Sequence, residues 1–355
     1  MSEPRHPQPP VLPRNQILIG DAANRLAQLP ANSVDCVITS PPYFGLRDYG
    51  EPDQLGLEPT VDEWVRDLVQ VGAEVGRVLK PGGSFWLNVA DSYSQHSKEG
   101  ALKKSLLLGP QRLALALVAD GWIMRNHVIW HKTNPMPSNV TDRLSCTHES
   151  VYLLTRQGRY YFDLNAIRRP HKGARDHGRH RPGQGDEVGR VYPPVDVLPP
   201  RDQRAHDLND GLGKMKAAGT IGHPLGGNPG DVWALGTAAF RGDHFATFPT
   251  SLVERPLLST CPERTCTTCG VPWQRAKQHL DGRWLAIGPL KPDCTCRADW
   301  QPGVVLDPFM GAATTALAAE QHGRDWLGIE LNPAYAALAE QRLATWRAKK
   351  GEAAS

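Results

Sequence analysis

Residues Val34-Asp35-Cys36-Val37-Ile38 form a short apolar run that reads as a buried strand, and the five residues that follow, Thr39-Ser40-Pro41-Pro42-Tyr43, stop it abruptly. Two consecutive prolines cannot continue a strand and leave the backbone stiff. A rigid turn at the carboxyl end of a strand is where open α/β sheets place their ligands, so this stretch commits the chain to that fold class. It also sets the local chemistry. Prolines carry no N–H, so the turn offers carbonyl acceptors with few donors, next to the Ser40 hydroxyl and the flat face of Tyr43. Such a turn suits an exocyclic amino group held against oxygen acceptors, with its ring lying on an aromatic.

The second half holds a matching unit. Val304-Val305-Leu306-Asp307 reads as a strand, Pro308-Phe309-Met310-Gly311-Ala312-Ala313 as a turn, and Thr314-Thr315 as the start of a helix to Gln321. Trp326 to Ile329 is the next strand, ending at Glu330 and followed by Asn332-Pro333. An acidic residue ending the second strand of such a unit is placed to accept bonds from ribose hydroxyls. The phosphate-binding G-x-G-x-x-G is missing, which favours a cofactor with a ribose and no pyrophosphate. Near the amino terminus, Gln16 to Ile19 forms a further strand ending at Gly20-Asp21. Asp21 is both a helix cap for the following segment and an acidic group at a strand end.

Between these units, Thr60 caps an amphipathic helix carrying Trp64, Leu68, Val75 and Val78, closed by Lys80-Pro81-Gly82-Gly83. Ser84 to Val89 is another buried strand, Leu106 to Val118 a helix, and Trp122 to Trp130 a strand. Ser150–Thr155 and Arg159–Phe162 read as a hairpin around Gln157-Gly158.

From the amino to the carboxyl terminus, the expected organisation is a flexible tail at 1–14, a catalytic part at 15–167, and a basic insertion at 168–230. The core then returns at 231–260, a cysteine-bearing insertion fills 261–300, and a cofactor-binding part at 301–347 precedes a tail at 348–355. The basic insertion carries Arg168, Arg169, Lys172, Arg175, Arg179 and Arg181 with three histidines, a composition that is either solvated or suited to phosphates. In the cysteine-bearing insertion, Cys266 and Cys269 make a C-x2-C knuckle and Cys294 and Cys296 a second pair, expected to hold a structural zinc, with Cys261 as an alternative ligand. The whole chain has seven cysteines, an odd number that argues against a complete disulfide framework. A net charge of +3 is compatible with a nucleic-acid partner. The absence of a long apolar run or an apolar signal core leads us to expect a cytoplasmic protein with no membrane partner.

Ser40-Pro41-Pro42-Tyr43 resembles the catalytic motif of amino-methylating DNA methyltransferases, and Asp307-Pro308-Phe309-Met310-Gly311 with Thr314-Thr315 is similar to their cofactor motif. The stretch Trp130-x-Lys132-x-Asn134-x-x-Pro137, with Arg143 and Glu149 beyond it, is similar to a segment beside the target-base pocket of that family. Catalytic motif before cofactor motif resembles the family's β subgroup. The resemblance implies a Rossmann-like α/β methyltransferase sheet, circularly rearranged, with basic-loop and zinc-ribbon insertions. It implies S-adenosylmethionine as cofactor, double-stranded DNA as substrate partner, a cognate restriction endonuclease, and base flipping. Ser40, Pro41, Pro42 and Tyr43 become the expected catalytic residues. Asp21, Thr39, Phe245, Pro249, Thr250, Asp307, Pro308, Phe309, Gly311, Thr314, Glu330 and Asn332 become the expected cofactor contacts. Serine before the prolines goes with cytosine N4 in this family, with adenine N6 as the alternative. A silent nucleic-acid-binding module is the alternative from another class. Alanine at 313, where the family more often has glycine, disfavours a positive φ there.

Overall fold

The computed structural model describes residues 12–52, 54–170, 223–237, 248–280 and 283–354. The strands are β1 (Gln16–Ile19), β2 (Val34–Thr39), β3 (Leu79–Val89), β4 (Ile123–Lys132), β5 (His148–Thr155) and β6 (Val232–Leu235). Six short strands, β7 to β12, follow within the cysteine-bearing insertion: Thr265–Cys266, Gln274–Arg275, Gln278–Leu280, Arg283–Leu285, Leu290–Lys291 and Trp300–Gln301. Then come β13 (Val304–Asp307) and β14 (Asp325–Glu330). The helices are α1 (Ala22–Ala27), α2 (Val61–Val78), α3 (Gly109–Ala119), α4 (Thr250–Thr260), α5 (Thr314–Gln321) and α6 (Pro333–Ala354).

One sheet has the order β1-β14-β13-β2-β3-β5-β4-β6. The first five strands are mutually parallel, and β5 turns antiparallel to both β3 and β4. The strands expected from Gln16, Val34, Ser84, Val304 and Trp326 are therefore neighbours, drawn from both halves of the chain. β2 is buried at every position, as befits a central parallel strand covered on both faces. Its side chains alternate between two cores. Val34 and Val37 join Leu26, Trp64, Val75 and Leu113 beneath α1 to α3, whereas Cys36 and Ile38 join Trp86, Leu257, Ala316 and Leu343 beneath α4 to α6.

Local chemistry explains the element ends. A reciprocal capping box between Thr60 and Glu63 starts α2. That helix ends at Val78, and the Lys-Pro-Gly-Gly stretch belongs to β3, where the pairing with β2 shifts register. The hairpin expected around Gln157-Gly158 does not form. Both edges of β5 are already taken by β3 and β4, and the Tyr161 N–H instead donates to the Gly82 carbonyl at 3.0 Å. No described helix is long and apolar enough to cross a membrane. Most of the basic insertion, residues 171–222, lies outside the described residues.

The cysteine-bearing segment leaves the core after α4 and returns at the amino end of β13. Its β7 and β12 pair with each other, and the Arg264 guanidinium lies over the Trp300 ring at 4.5 Å and the Trp273 ring at 5.3 Å. An ion pair between Arg275 and Asp163 at 2.8 Å ties the lobe to the core.

Candidate functional site

The carboxyl ends of the parallel strands open on a cavity of about 1090 Å³. Sheet register decides what meets there. Ile19 pairs with Glu330 and the Gly20 N–H donates to the Glu330 carbonyl at 2.9 Å, which seats Asp21 beside the end of β14. Leu306 pairs with Val37, so the Ser40 turn and the turn after Asp307 rise side by side.

At one end of the cavity lies the Ser40 turn, held from below by the Trp64 indole N–H donating to the Pro42 carbonyl at 3.0 Å. Tyr43 points its hydroxyl at a buried cluster. It donates to Glu149 Oε2 at 2.8 Å and lies 2.9 Å from Ser40 Oγ. Asn88 Nδ2 donates to Tyr43 Oη and to Glu149 Oε2, both at 2.8 Å, and reaches Ser40 Oγ at 3.3 Å. Lys132 Nζ completes the cluster 2.5 Å from Glu149 Oε1.

A proton count orients this network. The phenol has one proton, and the carboxylate takes it. Ser40 must then be the donor to Tyr43, which leaves its oxygen an acceptor, with one lone pair in reach of Asn88 Nδ2 and the other unused. Burial, reinforced by the Glu149 charge, pushes the Tyr43 phenol well above its usual range and keeps it protonated. Asn88 Oδ1 is a buried acceptor with no partner among the described residues. Of the segment that carried the resemblance, Trp130, Lys132, Asn134, Pro137 and Glu149 line the cavity and Arg143 does not.

At the other end the cavity is lined by Asp21, Pro308, Phe309, Gly311, Thr314, Glu330 and Asn332, all expected there. Glu330 Oε2 accepts the Gly311 N–H at 2.8 Å and Oε1 accepts the Asn332 N–H at 3.0 Å. Each oxygen keeps a further acceptor site. Asp21 is cap and lining at once, with Oδ1 accepting the Asn24 N–H at 2.8 Å. Gly311 has φ +49°. Ala313 takes φ 61° and ψ 34°, so the left-handed turn forms despite the side chain, at a cost of about 1–2 kcal/mol. At Gly328 in β14, an added Cβ would lie 1.7 Å from the Met310 sulfur. Glycine there is what lets the turn after Asp307 fold back onto the sheet.

Four of the expected contacts do not line the cavity. Asp307 is buried behind the cavity, where Oδ1 accepts from Thr39 Oγ1 at 2.5 Å and from the Phe309 N–H at 3.1 Å, and Oδ2 from Thr315 Oγ1 at 2.7 Å. Burial outweighs those three bonds and lifts its carboxyl to about 6. Asp307 and Thr39 therefore brace the turn that carries Phe309 and do not line the cavity. Pro249 and Thr250 also stand off the lining, because they begin α4; Phe248, one residue earlier, reaches it. Phe245 lies outside the described residues. Asn88 was not anticipated, although a lone amide inside the apolar run Phe85-Trp86-Leu87-Asn88-Val89 is a signal of its kind.

Cys266, Cys269, Cys294 and Cys296 bring their sulfurs within 4.8 Å of one another. The knuckle turns at Gly270, with φ +70° and its N–H donating to the Cys266 carbonyl at 2.9 Å. A tetrahedron of 2.3 Å Zn–S bonds needs sulfurs roughly 3.8 Å apart, so the set fits a zinc ion. Cys261 is fully buried in the core and is no part of the cluster. None of the described residues of this lobe lines the cavity.

A family model described as DNA methylase matches residues 34–341. The type II methyltransferase M.XycI of Xanthomonas campestris pv. cyanopsidis is 31% identical over 359 residues, covering 95% of this chain and 90% of its own length. M.Cfr9I of Citrobacter freundii is 31% identical, covering 91% and 86%. Among solved structures, the PvuII DNA methyltransferase, cytosine-N4-specific, superposes with a TM-score of 0.55 at 16% identity, covering 93% and 86%. A putative DNA modification methylase of Thermus thermophilus, complexed with S-adenosyl-L-methionine, superposes at 0.50 with 23% identity, covering 93% and 95%.

Proposed function

The chain belongs to the N6/N4 DNA methylase family, and from that membership we propose that it is a site-specific type II enzyme methylating N4 of cytosine in duplex DNA. The choice of cytosine rests on one observation: serine, not aspartate or asparagine, precedes the two prolines at the catalytic turn. Two features of this chain support an exocyclic amine, of either base, as the group held at the turn. Ser40 is polarised by a proton chain ending at Glu149, and the acceptor Asn88 Oδ1 lies unpartnered beside it.

The donor and acceptor set at the other end fits S-adenosylmethionine, which supplies a sulfonium methyl group when bound. The Glu330 carboxylate would take its ribose hydroxyls, and Asp21 and Phe309 would take its adenine. The target base reaches the cavity by flipping out of the stack. Ser40 Oγ and the Pro41 carbonyl accept the hydrogens of the exocyclic amine and turn a nitrogen lone pair toward the methyl group. As the nitrogen gains positive charge, acceptors already aligned around it stabilise that charge without reorganising. The negative end of the network, Glu149, is shared with Lys132 and stays buried. Tyr43 keeps its ring for the base and uses its hydroxyl to fix Ser40. The intact, continuous cavity weighs against a silent binding module.

In this reading the sheet is a circularly rearranged methyltransferase sheet, the four-cysteine lobe is a zinc ribbon, and the basic insertion meets DNA. The setting is a cytoplasmic restriction–modification pair with a cognate endonuclease. The test is methyl transfer from labelled S-adenosylmethionine to unmethylated DNA, followed by nucleoside digestion and mass analysis. N4-methylcytosine is expected. N6-methyladenine would overturn the inference from Ser40 and keep the cavity's role, and no modified base would overturn DNA as the substrate.

A further inference from the structure

The loop between β4 and β5 carries two apolar side chains that the fold does not use. Met136 is 88% exposed and Leu144 is 89% exposed, and these are the most exposed large hydrophobic residues described. Single exposed apolar residues are ordinary. These two differ in three ways. They lie on one connection, and both line the cavity that opens on the Ser40 turn. Met136 stands between Pro135 and Pro137, whose fixed φ angles stiffen the loop at that point. The same connection is pinned near Leu144: the Arg143 guanidinium stacks on Tyr93 at 3.7 Å, and Asp142 pairs with Lys104 at 2.8 Å. A stiff loop that presents a long apolar side chain to water, at the mouth of a cavity sized for a base and a cofactor, is organised for a partner that arrives with an apolar gap.

We propose that Met136, with Leu144 beside it, is the wedge that enters the duplex and fills the place vacated by the flipped target base. The proposal rests on the reading of the cavity as a site for a base extruded from duplex DNA. A flipped base leaves two stacked neighbours with nothing between them, and an aliphatic side chain inserted there replaces part of the lost stacking. Methionine suits the role, being unbranched, slender and polarizable. The wedge makes no contact with the reacting atoms, so Met136 and Leu144 are positioning residues.

The experiment compares wild type, Met136→Ala, the double variant Met136→Ala with Leu144→Ala, and Met136→Leu on matched oligonucleotides. One duplex carries the paired target and another carries the same target opposite an abasic site, where unpairing is already done. Both side chains are in water, so none of these variants disturbs the core. We expect the double variant to methylate the paired duplex roughly tenfold or more slowly, a loss governed by base extrusion, yet to match wild type on the abasic duplex. Met136→Leu should restore most of the rate. A fluorescent cytosine analogue such as pyrrolocytosine at the target position should brighten on binding wild type and brighten less with the double variant. Equal rates on the paired duplex for all four proteins would overturn the wedge, as would equal losses on both duplexes. A wild type that methylates neither duplex would overturn the function proposed above and the wedge with it.

Discussion

Replacing Tyr43 by Phe removes one oxygen and keeps the ring. The hydroxyl donates to a buried carboxylate, a bond of about 1.5–3 kcal/mol, and accepts from Ser40 and Asn88, neutral bonds of about 1 kcal/mol each. Asn88 Nδ2 still reaches Glu149, so the carboxylate keeps a donor besides Lys132 and is not stranded. We therefore expect the variant to lose about 2–3 kcal/mol of stability, less than the sum of its bonds. Its effect on turnover follows from the proton count. Without the phenol oxygen, Ser40 has no acceptor for its own proton, and the hydroxyl is free to swing that proton toward the cavity. The substrate amine then meets a donor where it needs an acceptor. Losing about 1.4–2.7 kcal/mol of transition-state stabilisation slows methylation about 10- to 100-fold. Cofactor affinity should stay within about twofold, because Glu330 and Asp21 sit at the other end of the cavity. The assays are chemical denaturation, isothermal titration of S-adenosylmethionine, and single-turnover methylation. A Tyr43→Phe protein as fast and as stable as wild type would refute the proton chain and leave Tyr43 as a stacking surface alone.

Three further outcomes follow from the geometry. Gly328→Ala should drive Met310 off the sheet, costing about 3 kcal/mol and most of the cofactor affinity; pairing it with Met310→Ala should recover much of both, read by denaturation and titration. Asp307 titrates near 6 when folded and near its ordinary 3.8 when unfolded, so the folded state holds its proton more tightly. Its contribution to stability is present below about 4 and is lost as the pH rises through about 6, on the order of 3 kcal/mol, and Asp307→Asn should flatten the denaturation profile across pH 4.5 to 7.5 relative to wild type. If the lobe holds the proposed zinc, Cys269→Ser should lower the zinc content measured by elemental analysis while methylation persists, since no described residue of that lobe reaches the cavity.

What could be read from the sequence was what the chain states locally. The Val34 strand, its double-proline stop and the Asp307-to-Glu330 unit each announce themselves within a couple of dozen residues, and the sheet is largely their sum. Pairings made across long separations were hidden. Tyr43 and Glu149 are brought together by the antiparallel β5, and Thr39 and Asp307 by a crossing between the two halves of the chain. Asp307 and Thr39 belong to motifs expected at the ligand, whereas their burial makes them braces. The hairpin at Gln157-Gly158 failed for a related reason: a turn signal cannot show that the strand's partners are already chosen.

The sheet order also sets a timetable. β13 and β14 lie between β1 and β2, yet they are made last, so the edge pairing of Gln16 with Leu327 must wait for nearly the entire chain. At about 5–20 residues per second, translation leaves β1 without its neighbour for roughly 15 to 60 s. Through that interval β2 also lacks β13, and Thr39 lacks its partner Asp307. The sheet, and with it the cavity at the carboxyl ends of its strands, is complete only once β14 is inserted between β1 and β13.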